Sequence, residues 1–358
     1  MPDLIAHAFY SIGYRPRESL VVVGLSGPRR QIGMTIRVDL PPTDRHRVPL
    51  ESHVRVLREH GDDAVVVLVV SDRPAAGRPS RRPAAPPGAP PPAPPRQRLA
   101  RDVRQRRAQE GFDVLDTLAV GDVAWRSYTC QDERCCPPTG HPMSVVESSA
   151  VAAWHVSQGE VLSPDEVSFL AYVDPEPLAD APPEGAVASS AAEPVGEPEP
   201  AHEALARWRA LLAADGGDRP DGEVPPDVRW LVDALLDLRF RDALMLTLLP
   251  GSGTLPAEAL LRGERALLDR LFDEPPDADL LARATALLAA VARTAPPGRR
   301  ADALAVLAWA AWWAGDGTRG RLLAARATAD RPSHTLAALI DQLLFVGIPP
   351  GWTRRQAG

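Results

Sequence analysis

Two stretches of the chain have almost nothing to bury, and they decide how the rest can be partitioned. From Arg73 to Pro95 the sequence is proline, alanine, glycine and arginine, with Ser80 the one other residue. From Asp174 to Pro200 it is dominated by proline, alanine and glutamate. Fixing each backbone residue costs about 1–2 kcal/mol. The first segment cannot offset that cost and is expected to be disordered; the second is of low complexity and marks a domain boundary. The first is an insertion at 73–95 inside a domain spanning 1–172. The second is an acidic linker, 173–200, leading to another domain at 201–352. With 358 residues and 45% hydrophobic content the chain has enough apolar material for two cores.

The first domain alternates strand and helix patterns. Residues 3–12 read as a helix stopped by Gly13. Ser19–Leu25 is a short β-branched run bounded by turn residues, as a buried strand is. In Ile32–Leu40, Met34, Ile36 and Val38 alternate with Thr35, Arg37 and Asp39, predicting a half-buried strand that Pro41-Pro42 ends. A helix at 49–60, a buried strand at 64–70 and a helix at 96–110 follow. Strands at 113–120 and 123–130 are expected to form a hairpin about Gly121-Asp122. Ser144 with Glu147 predicts a capped helix running to Gln158, and Ser163-Pro164-Asp165-Glu166 starts another. This is an α/β mixed-sheet domain. Beyond the linker every pattern is helical, at 201–214, 226–249, 256–272, 278–295, 299–314, 318–330 and 333–346. An all-α helical-hairpin domain is expected, its core filled by Trp208, Trp230, Trp309, Trp312 and Trp313.

Composition removes several chemistries. The chain contains no lysine, so a Walker-type phosphate loop and Schiff-base or pyridoxal-phosphate catalysis are excluded. The start, Met1-Pro2-Asp3-Leu4-Ile5, is no secretory signal. No apolar stretch approaches the roughly 20 residues of a membrane span. A cytoplasmic protein with reduced thiols and no membrane contact is the expectation. The formal charge of −7 argues against a nucleic-acid binder. An arginine-rich run does extend from Arg73 to Arg107, but no aromatics are interleaved for base stacking. The expected partner is another protein.

One segment concentrates reactive side chains. Cys130-x4-Cys135-Cys136-x4-His141 holds every cysteine of the chain and offers three thiols and an imidazole. That inventory suits zinc, and no other cofactor is expected. Adjacent cysteines point their side chains apart, which counts against both reaching one ion. The competing readings are a turn with one thiol packed under Trp125, a nucleophilic thiol activated by Arg134 and His141, and a disulfide. Arg37 and Asp39, alternating on one strand, are candidates to hold a polar or anionic ligand, as are Arg126 and Tyr128 flanking the cysteine loop. The expected function is a non-enzymatic binding or scaffold protein. The alternative is a thiol- or zinc-dependent enzyme using the Cys130–His141 loop beside the Arg37/Asp39 strand end.

Several of these segments resemble a known family. Tyr14-x-Pro16-x-x-Ser19-Leu20-Val21-Val22-Val23-Gly24-Leu25 is followed by Arg37-Val38-Asp39-Leu40-Pro41. Then come Trp125-x-Ser127-Tyr128-x-Cys130 and Cys135-Cys136-Pro137-Pro138-x-Gly140. Together they are similar to an actinobacterial family, domain of unknown function 4192, as is the tail Ala308-Trp309-Ala310-Ala311-Trp312 with Gly315-Asp316-Gly317. The resemblance implies the domain boundaries and a cytoplasmic location, and no chemistry. Leu304, Leu307, Gly315-Asp316, Ala327 and Pro332 also resemble one tetratricopeptide unit. Ala308 stands where glycine is usual there, and Ala311 where an aromatic is usual.

Overall fold

The computed structural model describes residues 1–43, 51–71, 96–175, 200–213, 228–250, 255–261 and 274–353. The 73–95 insertion and all but the ends of the 173–200 linker lie outside these, as does the expected helix at 256–272 beyond Leu261. The chain forms two compact units, Met1–Phe169 and Leu170–Gly358.

The first unit is built on a mixed six-stranded sheet. Its strands are β1 (Ser19–Ser26), β2 (Gln31–Asp39), β3 (Ala64–Val70), β4 (Asp113–Val120), β5 (Ala124–Ser127) and β6 (His141–Pro142). They lie in the order β2-β1-β3-β4-β5-β6. Only β3 and β4 run parallel, joined through helix α3 (Gln97–Gln109). Strands β1 and β3 are valine-rich, mostly apolar and buried on both faces, so they occupy the inside of the sheet. The alternating β2 takes an edge.

Leu20, Val22, Val67 and Val69 bury one sheet face against Leu57 of α2 (Glu51–Glu59) and Leu99 and Val103 of α3. The opposite face, including Val21, Val23, Val66 and Leu68, is equally buried. Helix α1 (Pro2–Ile12) touches β2 and packs on α4 (Ser144–Glu147) and α5 (Ala150–Ser157). It stops at Gly13, whose φ of 89° and a would-be Cβ only 2.4 Å from the Phe169 ring admit no side chain.

The single helix expected from Ser144 to Gln158 is broken. Ser149, not Ser144, caps the longer piece, its side chain accepting from the Ala152 N–H at 3.2 Å. The Ser148 hydroxyl closes the preceding turn on the Ser144 carbonyl at 2.8 Å. A serine pair gives the backbone local partners that compete with a continuous helix. Helix α6 (Glu166–Leu170) and a 3₁₀ turn at Ala171–Val173 end this part of the chain.

The second unit is helical: α7 (Ala201–Ala213), α8 (Arg229–Ala234), α9 (Leu238–Leu246), α10 (Leu255–Leu261), α11 (Ala278–Thr294), α12 (Ala301–Trp313), α13 (Gly317–Asp330) and α14 (Thr335–Val346). The helix expected over 226–249 is two, because the Asp237 carboxylate accepts the Arg239 N–H at 2.8 Å and starts α9 afresh. Helix α12 is apolar on nearly every face, and α11, α13, α14 and α9 pack around it. A Cβ at Gly320 of α13 would stand 3.0 Å from the Ala308 carbonyl, so small residues set the α12–α13 spacing. Trp208, Trp309 and Trp313 are core residues; Trp208 keeps its indole N–H bonded to Thr247 at 3.0 Å. Guanidiniums of Arg293 and Arg300 bind the carbonyls of Tyr172 and Val173, seating the 3₁₀ turn on this unit. No described helix is long and apolar enough to cross a membrane.

Candidate metal centre

The cysteine loop is shaped by polar side chains that bond nearby backbone. Strand β5 pairs with β4 through Trp125, Arg126 and Ser127, and ends there. The Ser127 hydroxyl donates to Asp116 at 2.7 Å and accepts the N–H groups of Thr129 and Cys130, each at 3.1 Å. That turns the chain off the sheet several residues before the strand end expected from the sequence. Asp132 then reverses it: its carbonyl accepts from the Cys135 N–H at 3.1 Å and the Cys136 N–H at 2.7 Å. Gly140 leads back at a φ of 74°, close under the Trp125 carbonyl, and β6 pairs with β5.

The result brings all three sulfurs within 4.8 Å of one another, Cys136 buried, Cys130 half-buried and Cys135 exposed. Sulfurs at adjacent corners around zinc stand roughly 3.8 Å apart for a Zn–S distance of about 2.3 Å. The thiols need only close in slightly, and the three cysteines can hold a metal ion. The objection that adjacent cysteines diverge does not apply here: the turn closed on Asp132 bends Cys135 and Cys136 to the same side. No disulfide joins any of them. Burial pushes the Cys136 thiol up to about 12, helped by its hydrogen bond with Cys130 and the charges of Cys130 and Cys135, while the Ser127 N–H pulls it back in part. An activated nucleophile needs the opposite shift.

His141 is not part of this group. Its register partner is Trp125, and its ring stacks on the indole with centroids 4.4 Å apart. The imidazole covers that ring. Arg126 reaches over the loop to the Pro138 carbonyl at 3.4 Å, and Tyr128 packs partly against the apolar core.

Arg37 and Asp39 lie elsewhere. In the sheet Arg37 is level with Val21, Leu68, Leu118 and Ser127, one residue per strand. Four inter-strand spacings, about 19 Å, therefore separate it from the root of the cysteine loop. Its guanidinium is spent on Asp39 at 2.7 Å and on the Ser19 hydroxyl at 3.0 Å. Strand order thus sets the Arg37/Asp39 strand end apart from the root of the cysteine loop.

A family model described as Domain of unknown function (DUF4192) matches residues 2–351. The chain belongs to the DUF4192 family. The match runs through both units, so the α/β and helical parts are one family architecture. No curated protein and no solved structure matches this DUF4192 chain. Sequence reasoning found the cysteines but missed Ser127, Asp116 and Asp132, which shape their loop. Their signal was present: short polar side chains beside a strand end favour such backbone bonds.

Proposed function

We propose that this DUF4192 protein is a zinc-binding, non-enzymatic binding protein, its ion held by Cys130, Cys135 and Cys136. The convergence of the three sulfurs carries this reading. Thiolates favour zinc over the hard cations that prefer oxygen. Three protein ligands leave one tetrahedral position to water or to a group brought by a partner. The ion then clamps the loop between β5 and β6 and presents that position at the exposed Cys135 side. A catalytic role would need a second chemical group beside the ion, and the pair expected to supply it, Arg37 and Asp39, stands across the sheet and is mutually satisfied.

Elemental analysis of protein purified without chelator tests the proposal. About one zinc per chain is expected, falling to background in Cys136→Ser and Cys130→Ser while the far-ultraviolet spectrum is kept. Metal-free wild-type protein that also fails to take up added zinc would remove the ion from the account. Hydrolytic turnover lost together with the zinc would instead favour a zinc-dependent enzyme.

A further inference from the structure

The helical unit contains a cavity of about 320 Å³ where the first turns of α9, α12 and α14 meet. Asp302, in the first turn of α12, has a side chain only 3% exposed. It accepts from His334 Nε2 at 2.9 Å and from Arg331 Nη2 at 2.6 Å. His334 Nδ1 accepts the Ala337 N–H at 3.1 Å, so the ring proton sits on Nε2, facing the carboxylate. Burial alone would raise the Asp302 carboxyl, but the hydrogen bonds of His334 and Arg331 and the charge of Arg331 hold it below the usual range.

Arg241 closes the wall with a side chain 7% exposed. Its Nε and Nη2 bind Asp242, which lies outside the cavity lining, at 3.1 and 2.8 Å. Its Nη1 is buried, makes no hydrogen bond among the described residues, and stands 3.8 Å from Asp302. A buried guanidinium N–H with no acceptor is costly, and a ligand oxygen would relieve it.

We propose that this cavity binds a small carboxylate with an apolar body. With Asp242 on Arg241 and Asp302 on Arg331 the charges are matched, and what the site lacks is an acceptor for one buried donor, Arg241 Nη1. One oxygen of a monoanion meets that single donor, whereas a phosphate dianion would bring a second negative charge up to Asp302 with no further cation to meet it. The other polar groups, the hydroxyls of Ser333 and Thr335, can donate, and three helix starts add positive field. The planar carboxylate matches a guanidinium edge. Leu236 and Leu238 supply apolar wall for the body of the ligand, and the volume suits a small molecule.

Isothermal titration of the full chain with benzoate tests this, with benzamide as the neutral isostere and inorganic phosphate as the rival anion. Saturable benzoate binding is expected, with benzamide silent and phosphate weaker. Arg331→Gln, a partly exposed position, should weaken benzoate by roughly tenfold or more, with folding verified by the far-ultraviolet spectrum. Arg241→Lys keeps the charge but loses the fork, and should weaken it likewise. Phosphate binding with benzoate silent would overturn the carboxylate assignment. Silence of both anions, or benzoate affinity unchanged in both variants, would overturn the site.

Discussion

The cysteine loop and the Asp302 cavity are both clusters of ionisable groups, and they solve opposite problems. In the loop, like groups are gathered: three thiols face one another with no opposite charge among them. In the cavity, opposite charges are gathered, and Asp302 is paired from several sides. Like groups brought together need a cation from outside to justify their proximity. Opposite groups satisfy each other, and only the unmet donor, Arg241 Nη1, points to a ligand. Assembly differs as well. The loop is closed by backbone bonds between near neighbours, whereas the cavity draws on three helices far apart in the chain.

The contrast can be broken most directly at Asp302. Its removal in Asp302→Ala leaves buried guanidinium charge uncompensated and should cost about 3–5 kcal/mol in urea unfolding. A loss under about 1 kcal/mol would mean that the cavity charges are not coupled. The loop should respond to its missing cation by a smaller amount. Zinc at about a hundredfold over its Kd should stabilise the fold by about 2.7 kcal/mol, an increment absent in Cys136→Ser. Equal stabilisation of that variant would place the ion elsewhere.

The smallest effect is one of sign, and it compares Asp302 with a second deeply buried carboxylate, Asp62. Asp62 sits against Gly24 and Gly33 with a fully buried side chain, and burial raises its carboxyl despite the charge of His60 and the Met34 N–H. Raised above its unfolded value, it costs the fold stability as pH climbs from the unfolded pKa of about 3.9 through the folded one. Asp62→Asn should therefore stabilise at pH 7 and lose that advantage in acid. Asp302, held below its unfolded value, contributes stability above about pH 3.9 that is lost as pH falls through the folded pKa. Asp302→Asn should destabilise at pH 7 and converge with wild type in acid. Melting curves across pH showing the same sign for both variants would defeat the comparison.

Much of this architecture was legible beforehand. The β-branched runs at Ser19–Leu25 and Ala64–Val70 lie where strands were expected, and the helices from α11 to α14 fall within a few residues of their patterns. Misreadings came where a short polar side chain interrupted a pattern. Ser149 and Asp237 each started a new helix inside an apolar run, and Ser127 ended β5 early. Hydrophobic periodicity does not register a single side-chain-to-backbone bond. The Asp302 cavity passed unnoticed although Asp302 is the one charged residue in an otherwise apolar helix, a visible anomaly. Its partners Arg241, Arg331 and His334 carry no spacing that would have linked them.

By itself the sequence determined the element types, the helical second half, the exclusion of lysine chemistry and the thiol inventory of one loop. These rest on side-chain period, composition and close spacing, which act within a few residues. Only the tertiary structure decided that Arg37 stands four strands from the cysteines, that His141 covers Trp125, and that Asp302 gathers three distant partners. Strand order and helix packing are chosen by the total apolar area that whole elements bury against each other, and no local window contains that quantity.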